Sequence, residues 1–387
     1  MLKSFIFLYK QTIMKIVFVN VEDHMFLNQR LNLALAAKEA GFEVVVASNK
    51  SELHTTISNY GFKYIDTGNK RQGKNIFVQM LSIYRLYRIF RDEKPDVVHN
   101  ISIKPVIYGS IAARLSGVSR IVNLVNGLGY VFTSSKSVRR FMIKKLVIYM
   151  YKLAFSSERI HVIFQNPDDH NYFIHKQIAS KNNSHLILGS GVDTSLFSPS
   201  TEMISNSKPV VLFFGRMLWN KGIGYLIEAK KILKADNIDF TLTLAGEPDE
   251  SNPSSIKLEQ IKKWESEGLI KFLGYCPDMV EIIRGSDLVT LPSYYREGVP
   301  LSLIEAASIG KPIVTTDMPG CREIVEDGIN GFLVPIKDSK ALANKIKEIL
   351  LNEDMKESFS ENSRQRAIRF FSKEIVNKKT IEIYLNS

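Results

Sequence analysis

Short apolar runs alternate with longer stretches of helical period along most of the chain. Residues 15–20, 42–48, 63–65, 95–99, 121–125, 160–164 and 187–193 read as buried strands. Between them, residues 27–40, 76–91, 105–115 and 137–155, and the segment after Pro167, carry apolar side chains at helical spacing. Leu31, Leu33, Leu35 and Ala36 illustrate it, in a segment that Gly41 closes. Residues 20–26 are expected to be a loop. Strand, helix, strand in this order begins a parallel α/β sheet.

The alternation restarts after a polar stretch at 200–208, which marks a domain boundary. Strands are expected at 210–214, 240–245, 270–273, 288–291 and 312–315. A helix carrying Leu226, Ile227 and Ile232 follows the first, and a short one at 279–284 precedes the fourth. Leu303, Ile304 and Ala307 mark the buried face of a helix that starts near Leu301 and stops before Gly310 and Pro312. Residues 340–351, 355–370 and 373–385 complete the chain as helices. With 387 residues, two domains are expected, at 14–198 and 207–370.

Composition adds two facts. Hydrophobic residues make up 45% and charged residues 24% of the chain, which excludes a disordered or membrane-spanning protein. Cys276 and Cys321 are far apart and form no metal or redox spacing, which suits a reducing cytoplasm. Residues 1–13 are too short for a span and lack a cleavage site, so they are expected to be upstream sequence or a tail.

Charge changes the picture more. The formal net charge is +11, but residues 1–196 hold 26 Lys+Arg against 13 Asp+Glu, and residues 197–387 hold 25 against 27. A basic half faces an anionic partner, either nucleic acid or a membrane surface, and no zinc-finger or RNP-like motif supports nucleic acid. At 137–155, Arg139, Arg140, Lys144, Lys145 and Lys152 interleave with Phe141, Met142, Leu146, Ile148, Tyr149, Met150, Tyr151 and Leu153. Such a helix can lie in a membrane interface, with cations on anionic headgroups and aromatic side chains dipped in. A half-buried helix with a solvated basic face is the alternative.

The candidate chemistry is concentrated in residues 288–335. Glu297 lies on the loop that follows a strand, and Glu305 one turn into the next helix, with Gly298 and Pro300 nearby. Ligands of open α/β sheets bind at the carboxyl ends of strands, and a helix start at Leu301 and Ser302 offers backbone N–H groups to a phosphate. Gly215, Arg216 and Lys221 stand on the turn after another strand, where a guanidinium and an ammonium would neutralise a diphosphate. The bland alternative is a set of solvated surface charges.

The string EGVPLSLIEAASIGKPIV, together with GRMLWNKG at 215–222, resembles the signature of family-4 retaining glycosyltransferases. The resemblance runs over nearly the whole chain from Met14. It implies the GT-B fold, two Rossmann-like domains facing each other across an interdomain cleft, with a last helix at 371–387 packing back on the first. In that family Arg216 and Lys221 would grip the donor diphosphate. Glu297 would meet the donor sugar, Glu305 the ribose, the helix tip a phosphate, and the turn at Tyr275 the nucleobase, with Gly298, Val299, Pro300, Leu301 and Ser302 lining the same loop. Family members often have a glycine-rich loop where this chain has residues 20–26, and His or Glu where it has Asn126, and an amide cannot act as a general base. His24, His99 and Asn126 are the acceptor-side candidates, and His24 and His99 are equally readable as ordinary structural residues.

The expected activity is retaining transfer of a hexosyl or N-acetylhexosaminyl group from a UDP-type nucleotide sugar. The expected acceptor is a membrane-associated, polyprenyl-diphosphate-linked sugar, and no cofactor or metal is required. The enzyme would act on the inner face of the cytoplasmic membrane. Competing readings are transfer to a soluble glycan, a sugar-nucleotide epimerase of the same architecture, and a non-catalytic membrane-docking protein.

Overall fold

The computed structural model describes residues 13–68, 76–128, 132, 138–200 and 206–386; of Arg139 and Arg140 only the helical backbone is described. The expectation for residues 1–12 lies outside the described residues. Seven strands, β1 (Lys15–Glu22), β2 (Glu43–Asn49), β3 (Lys63–Asp66), β4 (Val97–Ile101), β5 (Arg120–Val125), β6 (Ile160–Phe164) and β7 (Ser184–Leu186), form one sheet in the order β3-β2-β1-β4-β5-β6-β7. Six more, β8 (Val210–Phe214), β9 (Thr241–Ala245), β10 (Lys271–Gly274), β11 (Leu288–Leu291), β12 (Ile313–Thr316) and β13 (Gly331–Val334), form a second in the order β10-β9-β8-β11-β12-β13. The described pairings are parallel.

Two parallel sheets follow from the apolar runs. Val211, Leu212 and Phe213 in β8 and Leu288, Val289 and Leu291 in β11 are buried, as unbroken hydrophobic strands must be when helices cover both faces. Each strand order reverses once, between β1 and β4 and again between β8 and β11. At such a point the connecting chains diverge to opposite faces and leave a gap beyond the carboxyl ends of the two strands. By density of internal packing the chain resolves into two units, Met1–Leu124 with Leu153–His161 and Ile381–Ser387, and Val125–Lys152 with Val162–Thr380.

Three sequence expectations are corrected. Residues 20–26 are not a loop: β1 runs to Glu22 and a helix, Asp23–Gln29, begins at once, followed by Leu31–Glu39 in place of one helix over 27–40. Asp23 is buried and accepts bonds from the Ser51 amide at 2.9 Å, the Ser51 hydroxyl at 2.8 Å and the Tyr64 hydroxyl at 3.0 Å. That network pins the helix start against β2 and β3. The last strand of the first sheet is β7, not 187–193, because Gly189 and Gly191 adopt φ of +69° and +80°, which no extended strand accommodates. The helices His54–Asn59 and Leu258–Ser266 and the strand β13 had no counterpart in the pattern.

His99 is also relocated. It is the third of five residues in β4, not its carboxyl end, and is 1% exposed. Its ring stacks on Phe18 at 5.5 Å, and its Nδ1 shares a hydrogen bond with the Tyr384 hydroxyl. Burial, and secondarily the nearby Arg30 guanidinium, holds the imidazole well below its ordinary pKa. In the unfolded chain the same ring protonates as pH falls through about 6.5, while in the folded protein burial opposes protonation. The His99 contribution to stability is therefore lost on the acid side. His99→Gln should flatten the fall of unfolding free energy between about pH 6.5 and 5, measured by denaturant titration.

Candidate functional site

The helix Leu301–Ile309 starts at Pro300 without any side-chain cap, so its first amides stay available. It stops at Gly310, in left-handed conformation with φ +80°. Leu303, Ile304, Ala306 and Ala307 bury its inner face, which fixes the start of the helix beyond the carboxyl end of β11. Glu305 begins its second turn, and burial pushes its carboxyl up to about 8. This group is therefore largely neutral at pH 7.

Glu297 and Lys221 come from different turns and meet. Lys221 Nζ lies 2.6 Å from Glu297 Oε2, and both side chains are about seven-eighths buried. The other carboxylate oxygen accepts from the Ser293 hydroxyl at 2.9 Å. Lys221 ends the turn after β8, in a 3-10 helix (Trp219–Lys221) closed by Gly222 at φ +83°. A Cβ on Gly222 would run into the Pro292 carbonyl at the end of β11. The two turns are also tied by the Tyr294 amide donating to the Asn220 carbonyl at 3.1 Å.

Three glycines bring backbone against backbone around Glu297. A Cβ on Gly127 would stand 2.5 Å from the Gly298 nitrogen and 2.7 Å from the Glu297 carbonyl carbon. A Cβ on Gly298 would stand 2.8 Å from the Asn126 carbonyl oxygen, and one on Gly320 2.7 Å from that of Glu297. Asn126, half-buried, thus lies beside the Glu297 loop through its backbone. Val299 and Pro300 are buried behind it, and Leu301 and Ser302 form the helix tip.

The remaining expected residues are placed as follows. Gly215 follows β8, and Arg216 is half exposed and donates through Nη1 to Asp249 Oδ2 at 2.9 Å. Tyr275 follows β10 and is 69% exposed. His24 is exposed in the first turn of its helix, 3.5 Å from Glu22 Oε2. In the helix Val138–Ala154, Lys144 lies over the Phe132 and Tyr172 rings at 5.4 and 5.5 Å, and Lys145 over Phe141 at 4.6 Å. Val138, Phe141, Met142, Leu146, Tyr149 and Leu153 are exposed, whereas Tyr151 and Ala154 are buried. Their spacing is one continuous outward stripe, so the large apolar side chains face out and Lys144 is turned in. No helix among the described residues is long and apolar enough to cross a membrane.

Sequence reasoning missed the groups that brace the Glu297 loop. Arg296 Nη2 pairs with Asp169 Oδ1 at 2.6 Å, with Asp169 fully buried. Asn166 caps the helix Pro167–His175 by accepting from the Asp169 amide and also donates to the Glu297 carbonyl at 3.2 Å. The string Asn-Pro-Asp-Asp at 166–169 is a legible helix start, but nothing in it announces a partner 131 positions on. Glu323, taking the Gly320 amide at 2.6 Å, is raised by burial to about 7. Cys321 is raised by burial, and next by Glu297, to about 12 and is an inert thiol.

Two family models match the chain: "Glycosyl transferases group 1" over residues 198–366 and "Glycosyl transferase 4-like" over 15–166. Among curated proteins, N,N'-diacetylbacillosaminyl-diphospho-undecaprenol alpha-1,3-N-acetylgalactosaminyltransferase of Campylobacter jejuni is 27% identical, covering 96% of this chain and 98% of that one. UDP-Gal:alpha-D-GlcNAc-diphosphoundecaprenol alpha-1,3-galactosyltransferase of Escherichia coli is 26% identical over 77% of each. Among solved structures, a glycosyltransferase from Rickettsia africae superposes with TM-score 0.77 at 19% identity, over 97% of this chain and 100% of that one. The Anabaena protein HepE, solved with UDP and glucose, gives 0.78 at 21%, over the same shares.

The Arg296–Asp169 pair makes a prediction about the loop. Arg296→Met leaves a buried carboxylate unpaired and should cost about 2–4 kcal/mol, below the 3–5 of a fully enclosed pair because the guanidinium is 23% exposed. Burial already raises Asp169, so protonation relieves the penalty and the loss should shrink as pH falls. Asp169→Asn in the Arg296→Met background should recover part of it at pH 7, as read from unfolding midpoints.

Proposed function

The chain belongs to the glycosyltransferases of the group 1 and 4-like type, and from that premise we propose that it transfers a hexosyl or N-acetylhexosaminyl group from a nucleoside diphosphate sugar to a lipid-diphosphate-linked sugar, with retention of configuration. The observation that carries the proposal is the meeting of Lys221 and Glu297 at the β8/β11 reversal, next to an uncapped helix tip. A diphosphate at that tip would draw Lys221 and Arg216 and meet the Leu301 and Ser302 amides. Those donors stabilise the charge that develops on the leaving phosphate. Glu297, relieved of its ammonium, would take sugar hydroxyls, and Glu305 the ribose.

The names of the Campylobacter and Escherichia relatives, which specify undecaprenyl-diphosphate acceptors, support a lipid-linked acceptor for this chain. The name of the second relative and the UDP seen in HepE support a uridine nucleotide. Asn126 supplies no proton acceptor, so in the proposed retaining step the acceptor hydroxyl attacks on the face the phosphate leaves, and that phosphate takes the proton. Diphosphate charge is met by cations and amides, and the proposed step has no place for a metal. The outward apolar stripe of Val138–Ala154, with Lys145 and Lys152 in it, supports peripheral contact with the inner face of the cytoplasmic membrane.

Incubated with a panel of nucleotide sugars and lipid-diphosphate sugars, the protein should release nucleoside diphosphate only when donor and acceptor are both present. Arg216→Ala and Lys221→Met should each lower turnover about 100-fold, as for removal of a preorganised charge-stabilising donor. Release that needs no acceptor would favour the epimerase or a hydrolase, and no release from any pair would sink the transferase reading.

Membrane contact has its own test. Replacing Arg139, Arg140 and Lys145 by Gln should weaken sedimentation with vesicles of phosphatidylglycerol at least about tenfold, since each surface cation is worth about 1 kcal/mol; Lys144, turned in, is left as it is. Replacing Phe141, Leu146 and Tyr149 by Ser should weaken it further. Unchanged partition in both variants rejects the contact.

A further inference from the structure

Asp249 was not among the expected site residues, yet the loop after β9 that bears it is built against the turn bearing Arg216. The Met217 amide donates to the Glu247 carbonyl at 2.9 Å, the Trp219 amide to Ser254 at 2.8 Å, and the Ile256 amide to Met217 at 2.9 Å. Leu218 and Ser255 form an antiparallel bridge, and the Asn220 amide donates to the Ser254 hydroxyl at 3.2 Å. Four hydrogen bonds, two of which make up the Leu218–Ser255 bridge, join the two short segments into one mechanical piece.

Within that piece the Asp249 carboxylate is itself fixed. Its Oδ1 accepts from the Ser251 hydroxyl at 2.6 Å, its amide donates to the Ser255 hydroxyl at 3.0 Å, and its carbonyl accepts the Asn252 amide at 2.7 Å. Its Oδ2 takes Arg216 Nη1 at 2.9 Å. The side chains differ in exposure, 14% for Asp249 and 54% for Arg216, so the acid is the more enclosed partner and the arginine the more accessible one. A guanidinium has five N–H donors in a fixed fork, and the Asp249 contact engages one nitrogen of the three.

We propose that Asp249 is the positioning residue for Arg216: it holds the guanidinium by one edge so that the other edge is presented, already oriented, to the phosphates of a nucleoside diphosphate. This rests on the donor-binding role proposed above for Arg216. An arginine tethered at its tip loses less rotamer freedom on binding than a free one. The carboxylate takes Nη1 alone, which leaves the N–H groups of the other two nitrogens for a phosphate. A serine-lined loop that sets Asp249 against a half-exposed arginine is thus part of the donor site, although Asp249 itself touches no donor atom.

The experiment is a double-mutant cycle on the full-length protein, with binding of UDP, GDP, ADP and dTDP measured by calorimetry, and with donor KM and kcat measured separately. For the diphosphate that the parent binds, Asp249→Ala should weaken binding about tenfold and Asp249→Asn about threefold, since the amide oxygen still accepts from Arg216. KM should carry most of the change. In an Arg216→Ala background, Asp249→Ala should add less than about twofold, because the two residues act as a unit.

Three outcomes overturn the inference. Equal or tighter binding by Asp249→Ala would make the carboxylate a competitor. The same loss with and without Arg216 would make it a brace for the loop alone. Failure of Asp249→Asn to recover any affinity, with the thermal midpoint of Asp249→Ala lowered by several degrees, would say the same. If the parent binds none of the four diphosphates, or Arg216→Ala binds as the parent does, the donor-site reading itself falls, and this inference falls with it.

Discussion

The site depends on the adjacency of β8 and β11 at the point where the strand order reverses. Hydrogen-bonded parallel strands lie about 4.8 Å apart, so the turns that leave their carboxyl ends begin as close neighbours. One turn carries Lys221 and the other Glu297, and that is why an ammonium and a carboxylate 76 positions apart in sequence stand at 2.6 Å. Gly222 lets the first turn close against Pro292, and an uncapped helix leaves from the second. Cation, carboxylate and amide donors are thereby gathered by the sheet itself, before any ligand enters.

In this state each cation is already paired: Lys221 with Glu297, Arg216 with Asp249. The two pairs differ in kind. Lysine presents a compact charge that moves easily between partners, whereas the arginine fork can keep one partner while meeting another. Glu297 is therefore held by an ammonium that could exchange partners more readily than the Arg216 fork. Glu305, by contrast, is raised to about 8 by burial alone, so its carboxyl is governed by enclosure rather than by a charged neighbour.

Much of this was legible in the order of residues. β11 coincides with its apolar run at 288–291, the helix start at Leu301 follows from Pro300, and its end follows from Gly310. What the pattern could not carry was everything decided by partners distant in the chain. The start of the first helix at Asp23 depends on Ser51 and Tyr64. The brace on Arg296 depends on Asp169, and the brace on Arg216 depends on a polar loop whose composition signals only a turn. His99 looked like a strand-end ligand because its strand was taken to end there; two more residues and the Tyr384 hydroxyl turn it into part of a core. The helix Val138–Ala154 was read correctly as basic and aromatic, but which face turns outward is settled by Tyr151 and Ala154, whose burial no count of charges reveals.

The seam of Gly127, Gly298 and Gly320 limits how this protein can diversify. Where main chain lies on main chain there is no space for a β-carbon, so substitution has almost no purchase on the rails that carry Glu297. Change in this loop has to be written in the neighbouring positions that own an unbraced side chain, Tyr294 and Tyr295 among them, while the rails stay fixed. A library randomised across 293–300 would for that reason be expected to return Gly298 and the Asp169-paired Arg296 nearly unaltered and to spread its accepted variation over Tyr294 and Tyr295.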